Sequence, residues 1–257
     1  MVVKGKLEKL EYTVFTDYVN SQDFGVPQQR KRFLMVGIRN DIVTEDIKPF
    51  DLLKEITPLF LKNKGLTTNH VSVKEAIGDL TTKGKKLVHH SGSQESGFKK
   101  LDYKRPKNLS AYQEIMRIGL NGEQPDSLRL ARHRSSTVEK FELIHEICRP
   151  GVALNDAQRA QVGTRKQAIT VLNPRMPSKT LTTLPDDILH YSEPRILTVR
   201  ESARIQSFPD DFSFQGKYTT GGMRRTKECP RYTQVGNAVP PLLGEVLGDL
   251  ISEIENT

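Results

Sequence analysis

Two ordered stretches near the C-terminal end most constrain how this chain can fold. The first, residues 195–212, has the sequence RILTVRESARIQSFPDDF, and the second, residues 232–241, has the sequence YTQVGNAVPP. Thr198 and Glu201 have the spacing of a capping box, in which each side chain satisfies a free backbone N–H at the start of a helix. We expect a short helix after Thr198 that stops before Pro209, because proline disfavours helical geometry at the residue before it.

The second stretch predicts a turn followed by the last helix. Gly236-Asn237 is typical of a turn, and Pro240-Pro241 pre-sets the first turn of a helix. Gly244 and Gly248 would let another backbone approach closely, but the apolar run is shorter than the ~20 residues that a membrane span needs. We therefore expect a soluble helix that docks. Its apolar positions recur at three- and four-residue steps: Leu243, Val246, Leu247, Leu250, Ile251 and Ile254.

Together the two stretches resemble the last two of the ten sequence blocks of DNA cytosine-5 methyltransferases. The matching residues are R-x-L-T-x-R-E-x-x-R-x-Q-x-F-P followed by Q-V-G-N-A-V-P-P. The resemblance implies a partial α/β fold: the edge hairpin and C-terminal helix of a Rossmann-like methyltransferase domain, plus a mixed, irregular target-recognition domain. It also implies that Asn237 and Ala238 lie beside S-adenosylmethionine. From the ninth block we expect a structural charge network of Arg195, Arg200, Glu201 and Arg204.

Two apolar segments near the N-terminus predict strands. Residues 12–19 are rich in β-branched and aromatic side chains, and residues 33–38 form a nearly continuous apolar run. A pair of strands is only marginally stable by itself. We therefore expect these strands to belong to a larger sheet.

The segment between these strands, residues 24–32, has the sequence FGVPQQRKR. On spacing alone it is a basic loop that enters a strand. Its place before an apolar strand and upstream of the C-terminal blocks makes it similar to the family's eighth block, Gln-x-Arg-x-Arg. By that resemblance Gln28, Arg30 and Arg32 support the catalytic pocket, and Arg32 helps to hold the flipped cytosine. A guanidinium suits this work because it stays charged and offers several donors in a rigid plane.

The pattern loosens between about residues 41 and 194. Short helices are predicted at residues 73–80, 111–120 and 137–148. Residues 83–107 hold eight Lys or Arg against two Asp or Glu. We interpret them as a mobile basic loop, either a solvated surface run or a phosphate-contacting segment.

The densest arginine cluster supplies the candidate DNA contacts of this region. It comprises Arg129, Arg132, His133 and Arg134. Arginine can recognise guanine edges bidentately or bind phosphates, and the sequence leaves both open. In the family, the variable target-recognition region lies between the eighth and ninth blocks, and a Thr-Leu pair near its end contacts DNA. Thr180-Leu181 resembles that pair.

The overall charge favours a polyanionic partner such as double-stranded DNA. Lys plus Arg total 39 against 31 Asp plus Glu, a net charge of +8. Cys148 and Cys229 make no disulfide framework, and no N-terminal segment resembles a signal peptide. We therefore expect a cytoplasmic, DNA-associated protein. The histidines and cysteines show no zinc spacing, so we predict no metal site. We predict no membrane partner, because the apolar run of the last helix is too short to span a bilayer.

The family's central chemical groups are missing from these residues. Its members add a cysteine thiolate to carbon 6 of a flipped cytosine, and carbon 5 then takes the methyl group of S-adenosylmethionine. That cysteine follows a proline, whereas here Cys148 follows Ile147 and Cys229 follows Glu228. The family's Glu-Asn-Val and the glycine-rich turn of the cofactor site are also absent. We expect these blocks to belong before residue 1, which makes this chain a C-terminal half.

We expect three parts in the chain. Residues 1–40 would supply edge strands of the catalytic domain, residues 41–215 the target-recognition domain with the ninth block, and residues 216–257 a loop and the returning C-terminal helix. The chain is then one subunit of a split DNA (cytosine-5-)-methyltransferase, a non-catalytic DNA-binding module, or an inactive truncated remnant. Met1 at a plausible boundary and the intact final blocks favour the split enzyme. The use of the methylation, in restriction–modification or otherwise, is left open.

Overall fold

The computed structural model describes residues 2–44, 46–90, 97–218 and 228–256, which form a mixed α/β fold. The helices are α1 (Val2–Glu8), α2 (Pro49–Asn63), α3 (Val73–Ile77), α4 (Ala111–Met116), α5 (Ser135–Ile147), α6 (Asp156–Gln161), α7 (Val199–Ile205), α8 (Arg231–Asn237) and α9 (Pro241–Glu255). The strands are β1 (Tyr12–Asn20), β2 (Gln28–Gln29), β3 (Lys31–Arg39), β4 (Leu87–His89), β5 (Lys99–Leu101), β6 (Thr170–Val171), β7 (Ser178–Lys179) and β8 (Ile188–Leu189). Short 3-10 turns at residues 21–24, 78–80 and 185–187 connect some of them.

The two predicted N-terminal strands form a hairpin. β1 and β3 are antiparallel, with a register that runs from Tyr12 opposite Arg39 to Asn20 opposite Lys31. Within the described residues this sheet contains only these two strands. Aromatic side chains on this sheet are accessible to solvent, and that of Tyr18 is 62% exposed. The hairpin therefore presents surface that the rest of the described chain does not cover.

The amphipathic C-terminal helix is confirmed as α9. Its buried face packs against α2, a helix that the expected boundary at residue 41 assigns to the recognition domain. A Cβ atom at Gly244 or Gly248 would meet no atom within 4 Å. The close backbone approach expected at these glycines is therefore not made by the described residues. The apolar residues of α9 that are buried are Leu242, Leu243, Val246 and Leu250.

The predicted ninth-block helix, α7, lies at the centre of the protein with every residue buried. Its capping box is confirmed: Thr198 Oγ1 accepts from Glu201 N (3.1 Å), and Glu201 Oε2 accepts from Thr198 N (2.7 Å). The helix ends at Ile205, before the predicted Phe208-Pro209 stop, and Ser207 has a φ of 60°. The chain thus turns out of the helix through a left-handed residue.

Three local predictions differ from the structure. Gly236 and Asn237 lie in the last turn of α8 rather than in a separate turn, because the helix that contains Val235 continues through both residues. The Gly-Asn sequence does not indicate this helix. In residues 83–107, β4 and β5 pair as antiparallel strands, while residues 91–96 lie outside the described part of the chain. α4 ends at Met116 rather than at residue 120. The helices predicted at residues 73–80 and 137–148 are confirmed as α3 with its 3-10 extension and as α5.

None of the helices in the described part of the chain is long and apolar enough to cross a bilayer.

Candidate functional site

The eighth-block segment joins the end of the predicted recognition region. β2 pairs in parallel with β7, and Ser178 N donates to Pro27 O at 2.9 Å. Thr180 Oγ1 donates to Gln29 O at 2.8 Å. Segments some 150 positions apart therefore share one small sheet.

Gln28 is fully buried and binds two different segments. Its Oε1 accepts from Leu181 N at 2.8 Å, and its Nε2 donates to Gln206 Oε1 at 2.6 Å. Gln206 Nε2 in turn donates to Val235 O at 2.8 Å. The carboxamide of Gln28 is therefore engaged inside the protein.

Arg30 is also buried and binds backbone carbonyls. Its Nη1 lies 3.4 Å from Leu181 O and its Nη2 lies 3.1 Å from Gly236 O. The second carbonyl belongs to the peptide that precedes Asn237. Burial and the nearby charge of Arg32 lower the pKa of Arg30. Arg30 thus positions backbone rather than facing an open pocket.

Arg32 differs from the other two eighth-block residues because it is exposed on β3. Its guanidinium makes a local hydrogen bond, from Nη1 to Lys31 O at 2.8 Å. The structure therefore separates the three predicted pocket residues. Gln28 and Arg30 hold the interior together, and Arg32 is accessible to a ligand.

The two predicted cofactor residues lie where α8 ends. Asn237 is exposed, Ala238 is half-buried and leaves the helix in an extended conformation, and Val239 is 66% exposed. An accessible carboxamide can both donate and accept hydrogen bonds. This end of α8 can therefore form one wall of a polar ligand site.

Arg129 requires a correction as a candidate DNA contact. It is 8% exposed, and its guanidinium is sandwiched between the rings of Phe98 (4.0 Å to the centroid) and Tyr218 (3.9 Å). Arg231 lies over the same Tyr218 ring at 4.4 Å. Such cation–π contacts stabilise a guanidinium inside the protein. Arg129 thus connects Phe98, which directly precedes β5, to Tyr218.

The other three residues of the arginine cluster differ in accessibility. Arg132 and Arg134 are exposed. His133 is half-buried, with its ring edge-on to Phe141 at 5.1 Å, and burial lowers its pKa. Arg134 is therefore accessible to a polyanion, and His133 packs against Phe141 of α5.

The predicted Thr-Leu DNA contact is also changed by the structure. Leu181 is 5% exposed, its side chain is in the hydrophobic core, and its backbone groups are held by Gln28 and Arg30. We therefore correct its assignment from a DNA contact to a core residue. Thr180 is partly exposed and Thr182 is exposed. Nothing in the sequence alone distinguishes Thr182 from its neighbours.

The predicted charge network consists of separate buried clusters. Arg195 binds Glu201 through both terminal nitrogens and binds Glu193 through Nε at 2.6 Å. Glu193 also accepts from the backbone and hydroxyl of Thr82. Burial alone would raise the pKa of Glu193, but Arg195 and these hydrogen bonds hold it at about 2. The sequence pattern did not indicate Glu193, which lies outside the ninth block.

The other two predicted network residues have different partners. Arg204 binds Asp79 (3.0 and 3.1 Å) and Asp210 (2.7 and 2.7 Å), and these charges raise its pKa despite burial. Arg200 has its pKa lowered by burial and donates to backbone carbonyls, including Asp126 O at 2.8 Å.

Among the described residues, no group of three or more His, Cys, Asp or Glu could hold a metal ion.

Comparison with known proteins places the chain in a family. A family model described as C-5 cytosine-specific DNA methylase matches residues 1–253. The chain belongs to this family. The resemblance to this family that the sequence motifs indicate is thereby confirmed.

The relatives are longer than the matched chain in most cases. The type II methyltransferase M.DdeI of Desulfomicrobium norvegicum is 30% identical over 261 residues, which cover 98% of this chain and 57% of the relative. The chain spans little more than half the length of the first curated relatives it matches. M.AquIB of Picosynechococcus is different: it is 36% identical over 123 residues, 47% of this chain and 83% of that relative.

The fold has a counterpart among solved structures. A protein described as a DNA modification methyltransferase encoded within an E. coli prophage matches 97% of this chain and 62% of its own, with a TM-score of 0.57 and 18% identity. A likeness at that identity concerns the fold alone.

Proposed function

We propose that this chain is the target-recognition and C-terminal portion of a DNA (cytosine-5-)-methyltransferase. It transfers the methyl group of S-adenosylmethionine to carbon 5 of cytosine in duplex DNA only together with an N-terminal half that supplies the Pro-Cys nucleophile. The observation that carries the proposal is the meeting of three family blocks at Gln28 and Arg30. Their buried hydrogen bonds join the eighth block to Leu181, Gln206 and Gly236.

The recognition role is supported by charge. The net charge of +8 suits DNA, and Lys99, Arg132 and Arg134 are exposed. Guanidinium and ammonium groups in such positions bind phosphates and release counterions. Near the end of the recognition region, Thr180 is partly exposed and Thr182 is exposed.

The catalytic support divides between positioning and contact. Arg32 is exposed and can hold the flipped cytosine through several donors in one plane. Gln28 and Arg30 are positioning residues, since their polar groups bind the protein's own backbone and Gln206.

The residues at the end of α8 fit one side of S-adenosylmethionine, which supplies the methyl group when bound. The exposed carboxamide of Asn237 can bind its polar groups, and the small side chain of Ala238 leaves room beside it. Most of the cofactor site then belongs to the N-terminal half, because these residues contain no glycine-rich cofactor turn.

The proposed docking site of that half is the hairpin of residues 1–40. Within the described residues β3 pairs only with β1, so its other edge can accept a further strand. Residues 41–215 then face the DNA, and residues 216–257 return to the catalytic domain. M.AquIB, a type II methyltransferase that is shorter than this chain and is matched over 83% of its length, is in keeping with a methyltransferase portion carried on a separate chain.

The proposal is tested by mixing this chain with a Pro-Cys-bearing methyltransferase half from the adjacent reading frame. Sedimentation should give a stable 1:1 complex, and the complex should bind duplex DNA. Two folded proteins that remain separate would contradict the split enzyme and favour a remnant. DNA binding by this chain alone, without any complex, would favour a non-catalytic DNA-binding module.

A further inference from the structure

We propose that Gln206 and Gly236 are positioning residues that couple the DNA-facing segment 180–183 to the end of α8. Through them, DNA bound at this segment sets the position of Asn237. The inference rests on the proposed function, because it takes DNA as the ligand at one end and the cofactor side of the site at the other.

The first connection is a directed chain of hydrogen bonds. Leu181 N donates to Gln28 Oε1 (2.8 Å), Gln28 Nε2 donates to Gln206 Oε1 (2.6 Å), and Gln206 Nε2 donates to Val235 O (2.8 Å). All four residues are buried. Because each carboxamide accepts through oxygen and donates through nitrogen, neither can be flipped without leaving buried groups unpaired.

The second connection is made by Arg30. Its Nη1 donates to Leu181 O at 3.4 Å and its Nη2 to Gly236 O at 3.1 Å. The rigid plane of the guanidinium fixes the relative position of the two carbonyls. The same two segments are therefore joined by an independent set of bonds.

The third connection is direct contact between backbones. A Cβ atom at Gly236 would lie 2.6 Å from Thr182 O and 2.9 Å from Thr182 C. These are backbone atoms of a segment held at Leu181, so they cannot move aside as a flexible side chain would. Only glycine at position 236 permits this approach.

The three connections make residues 181–182 and 235–236 a single rigid unit. Thr182 is exposed at one end of that unit, and Asn237 is exposed at the other. A displacement of the recognition segment by DNA therefore moves the peptide that carries Asn237. Gln206, at the end of α7, gives the ninth block a coupling role that its structural ion pairs do not provide.

The test is backbone hydrogen–deuterium exchange of this chain in complex with the Pro-Cys-bearing half, with and without duplex DNA. Gln206→Met keeps the side-chain length and removes both polar contacts, and Gly236→Ala separates the backbones. Gln234→Met is the matched control: among the described residues, the side chain of Gln234 bonds to Gln215 O and Cys229 O, near the start of α8. Retained native exchange in α2 and α9 would show that a variant is folded.

Without DNA, we expect the Leu181 amide to exchange roughly 5- to 10-fold faster in Gln206→Met, as for the loss of one buried hydrogen bond. With DNA, protection of residues 235–238 should change in the wild type and in Gln234→Met, and should change less in Gln206→Met and Gly236→Ala, each of which removes one of the three connections. An unchanged Leu181 amide, or an equal response of residues 235–238 in all four proteins, would overturn the inference. Absence of DNA binding by the wild-type complex would instead overturn the proposed function on which it rests.

Discussion

The guanidinium of Arg195 binds both carboxylate oxygens of Glu201, with Nη1–Oε2 at 2.8 Å and Nη2–Oε1 at 2.7 Å. Glu201 is fully buried and also caps α7 by accepting from Thr198 N. The ion pair thus ties the loop before α7 to the central helix of the protein. A buried pair of this kind is costly to break, because Arg195 would keep only part of its charge compensation, from Glu193.

Replacing Glu201 by Gln should lower the free energy of unfolding by about 3 kcal/mol at pH 7. Gln keeps the capping geometry, so the loss reports the missing charge of Glu201, while Arg195 keeps Glu193 as its remaining counter-charge. Urea unfolding measures the change. Glu8→Gln is the control, since Glu8 forms an exposed ion pair with Lys4 that is worth at most about 0.5 kcal/mol. Equal losses of unfolding free energy in the two variants would show that the buried Arg195–Glu201 pair stabilises the protein no more than the exposed Lys4–Glu8 pair does.

The buried His190 should make the stability of the protein fall on acidification at pH values above those at which carboxylates become protonated. It is fully buried beside Glu201, and burial lowers its pKa to about 4 from an ordinary value of 6.5. The unfolded chain therefore binds a proton between pH 6.5 and 4 that the folded protein does not, and stability is lost as the pH falls through this window.

The free energy of unfolding of the wild type falls between pH 6.5 and pH 5, and replacing His190 by Asn should make this fall about 1.5 kcal/mol smaller. Asn can still accept from Ser192 N, as His190 Nδ1 does at 3.2 Å. Urea unfolding at a series of pH values checks this. Parallel pH profiles for the wild type and the variant would contradict a neutral, buried His190. Glu193, with its pKa at about 2, should act only below about pH 4.5.

Substitutions in the arginine cluster should separate contact from positioning. Arg134→Ala should reduce the log–log salt slope of DNA binding by up to about 0.9, because an exposed guanidinium neutralises a phosphate. Arg129→Ala should leave the slope unchanged and lower stability by about 2 kcal/mol, since it removes buried cation–π contacts. Fluorescence anisotropy across a range of salt concentrations measures both slopes. A reduced slope in Arg129→Ala would restore this residue as a phosphate contact.

Arg32 should matter for methyl transfer more than for DNA affinity. In the assembled enzyme, Arg32→Ala should lower the rate of methyl transfer roughly 10²-fold while DNA affinity changes little, because a positioned donor to the reacting base is lost. Arg39→Ala is the matched control on the same strand, where the exposed Arg39 forms an ion pair with Asp41, two residues away. Equal rates in the two variants would show that the eighth-block assignment of Arg32 is wrong.

Local signals allowed much of the secondary structure to be predicted. The capping box at Thr198 and Glu201 and the spacing of apolar residues in α9 act within one or two helical turns, so they can be recognised in sequence. Gly236-Asn237 was mistaken for a turn because a helix as short as α8 depends on contacts such as the Tyr232 hydroxyl with Leu197 O. Those contacts join distant residues.

The sites were less predictable because burial decides them. Arg129 and Arg132 are three positions apart and chemically identical, yet one is enclosed by Phe98 and Tyr218 and the other is exposed. Leu181 likewise matches a DNA-contacting pair in sequence but packs in the core. The Gln28–Gln206 bond spans 178 positions, and no local pattern indicates it.

The most direct measurement is the transfer of labelled methyl from S-adenosylmethionine to mixed-sequence duplex DNA. It is made with this chain alone, with the Pro-Cys-bearing half alone, and with the two mixed. The account predicts incorporation only in the mixture, because the nucleophile and the recognition portion then meet. Incorporation by this chain alone would contradict it, since Cys148 or Cys229 would have to act as the nucleophile. No incorporation from two folded proteins that do associate would also contradict it and identify the chain as an inactive remnant.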